Sequence, residues 1–179
     1  MKYIGDFMSK YFPLHVHSHF SLLDGLSKPK DIAKRCDTIE VEGSAITDHG
    51  SMSGHIQFMS AMKDAGKKPL LGCEVYVSKE DPTIRNDKNR KLAHLCVIAK
   101  NTQGWKDLAQ LVSSSNSPDH YYYKPRLDLK HIAKFAEKGN LMAFSGHIGS
   151  NISNVLFDEE GELSNQWRTE GGRLAKWFS

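Results

Sequence analysis

Cysteine is scarce in this 179-residue chain, and the three present, Cys36, Cys73 and Cys96, are odd in number and widely spaced. Reduced thiols are expected rather than a disulfide framework, and no Cys-x-x-Cys spacing exists to hold a thiolate zinc. Long apolar runs are missing too. No stretch approaches the roughly 20 residues of a membrane span, and the start, MKYIGDFMSKYFP, lacks the apolar core of a secretory signal. A cytoplasmic protein without a membrane partner is therefore expected. Internal repeats, low-complexity tracts and charge blocks are also lacking, so residues 1–179 are expected to form a single domain. Charge is nearly balanced, with 24 Lys and Arg against 21 Asp and Glu, and the net +3 permits an anionic partner without requiring one. A hydrophobic share of 39% supplies a core and excludes disorder. Histidine alone is plentiful. Nine of these commonest metal ligands are present, so their placement decides the reading.

Phe12 to His17 (FPLHVH) alternates as a short strand does, and Pro29 opens a helix through Asp31, Ile32 and Ala33. Gly43 to Gly50 (GSAITDHG) is a second strand ending in a polar loop. Ile56, Met59, Ala61 and Met62 keep helical spacing from Ser53 to Ala65, with Gly66 placed as a C-terminal cap. KPLLGCEVYV is a third strand and Leu92 to Ala99 a fourth, with a polar hairpin or excursion between them from Ser78 to Lys91. Helices follow over Thr102–Ser114 and Asp128–Lys138, and LMAFSG is a fifth strand. Strands alternating with helices predict an α/β fold with a parallel sheet or barrel.

Polar residues cluster where these strands end. His15 and His17 close the first, Asp48 and His49 close the second, Glu74 lies within the third, His94 in the fourth, and His147 follows the fifth. Residues two apart on a strand point to one face, about 6.5 Å apart, so His15 and His17 can close on one ion. The mixed nitrogen and oxygen donors suit zinc, manganese or iron, with magnesium admissible. Glu74 in an apolar strand needs a cation or donor to offset its burial. Asp24 suits a turn before Gly25 as well as a ligand, and Asp48 is expected to orient His49 rather than bind metal. Lys124 and Arg126, flanking Pro125, suit a substrate phosphate as readily as a solvated loop. His55 and His131 are expected to be ordinary helix residues. His120 precedes the run Tyr121, Tyr122, Tyr123, and this cluster is expected to be a loop packed on the barrel in preference to the alternative, a base-stacking platform.

The segments HVHSHFSLLDG, AITDHG, GCEVYV, AHLCVIAKN, YYKPRLD and FSGHIG occur in an order that resembles the polymerase-and-histidinol-phosphatase (PHP) family. SLLDG and KPRLD resemble the branch found in bacterial replicative polymerases. The resemblance implies a distorted (β/α)7 TIM-like barrel holding up to three divalent metal ions. It implies that His15 and His17 bind one, that Glu74 bridges to a second held by Asp24 and His49, and that His94 and His147 hold a third. His147 stands where the branch often has Cys, and His19 is read as a rim residue. The late Asp and His ligands of the family find no counterpart after His147, where the sequence ends in a helix-like GGRLAKWFS. The barrel is thus expected to be incomplete at its C-terminal end, the chain being part of a longer polymerase, a split gene product or completed by another polypeptide. The polymerase carboxylates are also missing, so copying DNA is not expected. The implied activity is 3′→5′ exonuclease-type hydrolysis of a DNA single strand or 3′ end. The alternative is a non-catalytic, metal-stabilised scaffold docking the remainder of a polymerase or its proofreading or clamp subunits. An amidohydrolase would need a later catalytic Asp, and none follows.

Overall fold

The computed structural model describes residues 11–157, 162–164 and 169. The helix expected at GGRLAKWFS lies outside them. Among the described residues, helices and strands follow in the order α1 (Pro29–Thr38), β1 (Gly43–Ile46), α2 (His55–Asp64), β2 (Lys68–Val77), β3 (Ala93–Ala99), α3 (Thr102–Ser115), β4 (Arg126–Leu127), α4 (Leu129–Ala136), β5 (Leu141–Phe144) and α5 (Ser153–Leu156). Local chemistry sets several boundaries. Pro29 begins α1 where no N–H is needed, and Asp31 accepts from the Lys28 N–H at 3.2 Å. Gly66, at φ +65°, ends the turn after α2. Asn101 caps α3 through the Gly104 N–H at 2.8 Å, and Asp128 caps α4 through the His131 N–H at 2.8 Å.

The sheet runs β1-β2-β3-β5, with β4 also pairing with β2. This corrects two expectations. The sheet is mixed, because β3 lies antiparallel to both β2 and β5. It is also open among the described residues, with no barrel. The physical reason is in the 78–92 connection. A parallel crossover needs a helix with an apolar face to pack on the sheet. This polar segment forms only a single 3-10 turn at Lys88–Arg90, so the chain returns antiparallel. The first expected strand is also absent. A bend at His15 breaks regular pairing, although Ala45 donates to Pro13 O at 2.8 Å and Thr47 to Val16 O at 2.9 Å, holding the segment along β1.

Period-two alternation divides the central strands. Cys73, Val75 and Val77 of β2 and Ala93, Leu95 and Val97 of β3 face α3 and α4, packing with Leu108, Leu111, Val112 and Ile132. The opposite positions, Glu74 and Tyr76 on β2 and His94 and Cys96 on β3, face the polar side, where Glu74 is opposite Cys96 and Tyr76 opposite His94. A second core forms beneath β1, where Ile32, Ala33 and Cys36 of α1 meet Phe58, Ala61 and Met62 of α2. One apolar face thus anchors the strands that carry the candidate ligands on the other.

His55 is not an ordinary surface residue of its helix. It is buried between elements, where its Nε2–H donates to Gly72 O at 2.8 Å and its Nδ1 accepts from Trp105 Nε1–H at 3.1 Å. Burial lowers its pKa below 6.5, outweighing the opposing influences of the Gly72 carbonyl and Asp48. The unfolded chain therefore takes up the proton more readily, and the stability due to neutral His55 is lost as pH falls below about 6.5 toward the folded pKa. Thermal melts of the wild type and His55→Gln should show the wild type more stable at pH 7, with the gap narrowing toward pH 5. A gap independent of pH would contradict this role.

Candidate metal centre

Glu74 is the hub of the site. Its side chain is 1% exposed, and five imidazoles surround the carboxylate. His15 Nε2 and His17 Nε2 each lie 2.8 Å from Oε2, with His49 Nδ1 at 3.4 Å. On the other oxygen, Oε1, His94 Nδ1 approaches to 2.7 Å and His147 Nε2 to 2.8 Å. Asp24 reaches His49 Nε2 at 3.0 Å. Burial raises the carboxyl pKa of Glu74, but hydrogen bonds from His17, His94 and His15, with the charge of His15, outweigh it and hold Glu74 well below the usual carboxylate range. An ionised oxygen pair in a ring of nitrogen donors is the result.

Two glycines permit the close approaches. A Cβ on Gly25 would stand 1.9 Å from the Ser18 carbonyl oxygen, so only glycine lets the Leu22–Gly25 turn fold back and bring Asp24 to His49. Gly146, at φ +74°, sits where a Cβ would be 3.3 Å from the His15 ring, which lets the 144–149 loop lay His147 beside it. The two rings stack at 5.7 Å.

Proton accounting shows which nitrogens are open to a cation. Asp48 is buried and accepts from Ser18 N–H at 2.6 Å, Ser18 Oγ–H at 2.8 Å and Ser21 Oγ–H at 2.9 Å. Having donated its proton to Asp48, the Ser21 hydroxyl accepts from His49 N–H at 3.0 Å and from His17 Nδ1–H at 2.7 Å. His17 therefore carries its proton on Nδ1, and the Nε2 lone pair of its neutral form faces Glu74 and His15. That arrangement calls for a cation. Burial lowers the pKa of His17, yet hydrogen bonding and charge from Glu74, aided by Asp24 and Asp48, lift it above 6.5, so a proton is drawn to that position. His49 goes the other way. Burial exceeds the attraction of Glu74 and lowers its pKa, and its Nδ1 is buried without a hydrogen-bond partner. Neutral His49 donates Nε2–H to Asp24 and aims an orphaned lone pair at Glu74. The orphaned His49 nitrogen, and His17 Nε2 where a metal would take the place of the proton drawn to it, fit a divalent metal.

Three groups of donor atoms could each hold an ion: His15, His17 and Glu74; His17, Asp24 and His49; and His49, Glu74 and His94. Within each group the donor atoms lie within 4.8 Å of one another. His147 belongs to none of the three. Its Nδ1 accepts from the Gly149 N–H at 2.8 Å, so its proton is on Nε2 and is donated to Glu74 Oε1. His19 stays outside and packs on Phe20 at 4.3 Å. Asp48 does not touch the ring of His49 but positions His17 and His49 through Ser21. Sequence reasoning missed Ser21, though its place four residues after His17 was a usable signal.

Lys124 and Arg126 separate. The Lys124 ammonium is exposed, 4.4 Å from the Tyr76 ring centroid, and Tyr76 stacks on His49 at 5.6 Å. Arg126 is fully buried. It donates from Nε to His120 O at 3.1 Å and from Nη1 to Ile84 O at 3.0 Å and Asn89 O at 3.4 Å. This guanidinium fastens loops together, which leaves Lys124 as the cation of the pair that faces solvent. Tyr76 was also overlooked. Its spacing of two from Glu74 placed it on the same face.

Comparison with known proteins supplies the relationship. A family model described as PHP domain matches residues 13–179. DNA polymerase III subunit alpha of Borreliella burgdorferi is 37% identical over 175 residues, covering 97% of this chain and 14% of the relative. The same subunit of Helicobacter pylori is 38% identical over 163 residues, covering 91% of this chain and 13% of the relative. This chain thus spans a small part of the length of these relatives. A solved structure from Bifidobacterium adolescentis, described as a metal-dependent phosphoesterase, overlays 94% of this chain and 84% of its own at a TM-score of 0.53 and 14% identity, a likeness of fold.

Proposed function

Because this chain belongs to the PHP domain family and matches the N-terminal region of DNA polymerase III alpha subunits, we propose that residues 1–179 form one metal-dependent phosphoesterase domain. Its substrate is a DNA phosphodiester at a single-stranded or 3′ end, hydrolysed in the 3′→5′ sense. The supporting observation is the buried Glu74 carboxylate beneath His15, His17, His49, His94 and His147, with the His49 Nδ1 lone pair unclaimed. Divalent cations, up to three and of the zinc, manganese or iron type, supply Lewis acidity to a phosphoryl oxygen and make water a better nucleophile.

The chain's own residues account for the rest. His15, His17, Asp24, His49, Glu74 and His94 provide the donors. His147 holds its Nε2–H on Glu74 and fixes that carboxylate's second oxygen. Asp48 and Ser21 set the His17 tautomer. In our proposal Lys124, whose ammonium lies over the Tyr76 ring, meets a phosphate oxygen. In this reading the domain works in the cytoplasm with DNA and the other parts of a replicase as partners. Among the described residues no helix is long and apolar enough to cross a membrane.

The second reading, a metal-stabilised scaffold, draws on Leu22, Leu23 and Leu26. These stand almost wholly exposed on the tightly hydrogen-bonded loop that carries Asp24, as a docking surface would. Protein loaded with Mn²⁺ or Zn²⁺ should shorten 5′-labelled single-stranded DNA stepwise, and His15→Ala should lose at least about 100-fold of that rate, in line with loss of a positioned metal. Metal that raises the melting temperature without any cleavage would favour the scaffold. Equal cleavage by His15→Ala would rule out this centre as the source of activity.

A further inference from the structure

We propose that Tyr121, Tyr123 and Arg90 form a ledge that binds single-stranded DNA beside the metal centre, a ring stacking on a nucleobase and the guanidinium meeting the backbone phosphate. The inference deepens the phosphodiesterase reading and rests on it for the choice of ligand. It is argued from a run of rings and cations leading away from the ligands, joined at Lys124 and Tyr122 through the backbone. Tyr76 lies edge-on to His94 at 4.9 Å and stacks on His49, and the Lys124 ammonium lies over its ring at 4.4 Å. Tyr122 N–H donates to Lys124 O at 3.2 Å, and the Tyr122 ring meets Tyr123 edge-on at 4.6 Å. Arg90 then lies 4.4 Å over the Tyr123 ring centroid.

The rings at the far end do not serve the core. Tyr123 is 67% exposed and Tyr121 47%, whereas Tyr122 between them is tied inward beneath the Arg126 guanidinium at 5.1 Å. Tyr123 adopts φ +61°, a conformation disfavoured for a tyrosine, and no burial of its ring offsets it. Arg126 and Asn89 hold the frame. Both are buried, and between them they bind the carbonyls of Asp81, Ile84 and His120, so the excursion and the tyrosine loop form one braced unit. Lys88, Arg90 and Lys91 add exposed positive charge along the excursion, and Arg90 shares its guanidinium with Asp87 at 3.3 Å. Exposed aromatics interleaved with cations bind single strands with little sequence preference, because every base presents a π-face and every link a phosphate.

The test uses metal-loaded protein and a fluorescein-labelled oligothymidylate whose links are phosphorothioates, so that binding is read by anisotropy without hydrolysis. Tyr123→Gly also relieves the backbone strain, so it should fold. Its affinity should be weaker by about tenfold, the scale of one lost base stack, with metal content unchanged. An abasic strand of equal charge should bind wild type at least as weakly as thymidylate binds Tyr123→Gly, and Arg90→Gln should lower the salt dependence of affinity by about one phosphate contact. Wild-type binding with no cleavage of an ordinary strand would uphold the ledge and reject the hydrolase. Cleavage with identical affinities for wild type and Tyr123→Gly, or no binding at all, would overturn the ledge.

Discussion

Glu74→Gln should empty the metal centre while leaving the fold standing. Glutamine has nearly the volume of glutamate, and the Cys73, Val75 and Val77 face of the strand is untouched, so far-UV circular dichroism should match the wild type. The chemistry does not survive. One of the two oxygens that the five imidazole nitrogens divide between them becomes an NH2 group, which repels both a metal and any imidazole N–H pointed at it. Changing a residue that merely orients a ligand costs about 10- to 100-fold in metal affinity, and the hub itself should cost at least about 100-fold. Equilibrium dialysis against Mn²⁺ or Zn²⁺ reads the result directly. Wild-type stoichiometry and affinity in Glu74→Gln would show that the imidazoles gather for another reason.

Arg126→Met should be the most destabilising of the substitutions considered. The fully buried guanidinium donates to the carbonyls of His120, Ile84 and Asn89, tying the tyrosine loop to the 78–92 connection. Methionine fills part of the volume and takes the donor from the His120 and Asn89 carbonyls, while Ile84 O keeps its bond from Asn89 Nδ2, at about 1–3 kcal/mol for each carbonyl left bare where water cannot enter. A net loss of about 3 kcal/mol corresponds to a fall in melting temperature of roughly 6–12 °C for a chain of this size. Arg126→Lys should recover little, since one ammonium cannot span three carbonyls. If Arg126 instead gripped substrate, Arg126→Met would melt like the wild type and show only a raised KM.

Those two residues show how much could be read from sequence and where reading stopped. Glu74 was legible because a lone acid in GCEVYV violates the apolar pattern of its strand, and the violation has to be compensated. His15, His17, His49 and His94 were legible because each sits where a strand pattern ends. The helices from Pro29, from His55 and from Thr102 followed from spacing and caps. The burial of Arg126 was not legible because KPRLD carries no mark of it: whether an arginine faces water depends on loops that approach from Ile84 and Asn89, distant in sequence. The two-residue β4 is too short to leave a periodicity. Strand direction likewise depends on how the 78–92 segment returns, so an alternating order of strands and helices suggested parallel pairing that β3 does not adopt. His147 could be placed near the centre by its segment, but the hydrogen bond from Gly149 that turns its Nδ1 away comes from backbone geometry.

The central claim is that His15, His17, Asp24, His49, Glu74 and His94 hold divalent cations. Anomalous diffraction at the zinc, manganese and iron absorption edges, from crystals of protein purified without chelator, tests it most directly. The expected result is one or more anomalous peaks in contact with a Glu74 oxygen and at least one of these imidazoles, lost in Glu74→Gln. A map with no peak there, although metal was supplied in excess, would contradict the claim.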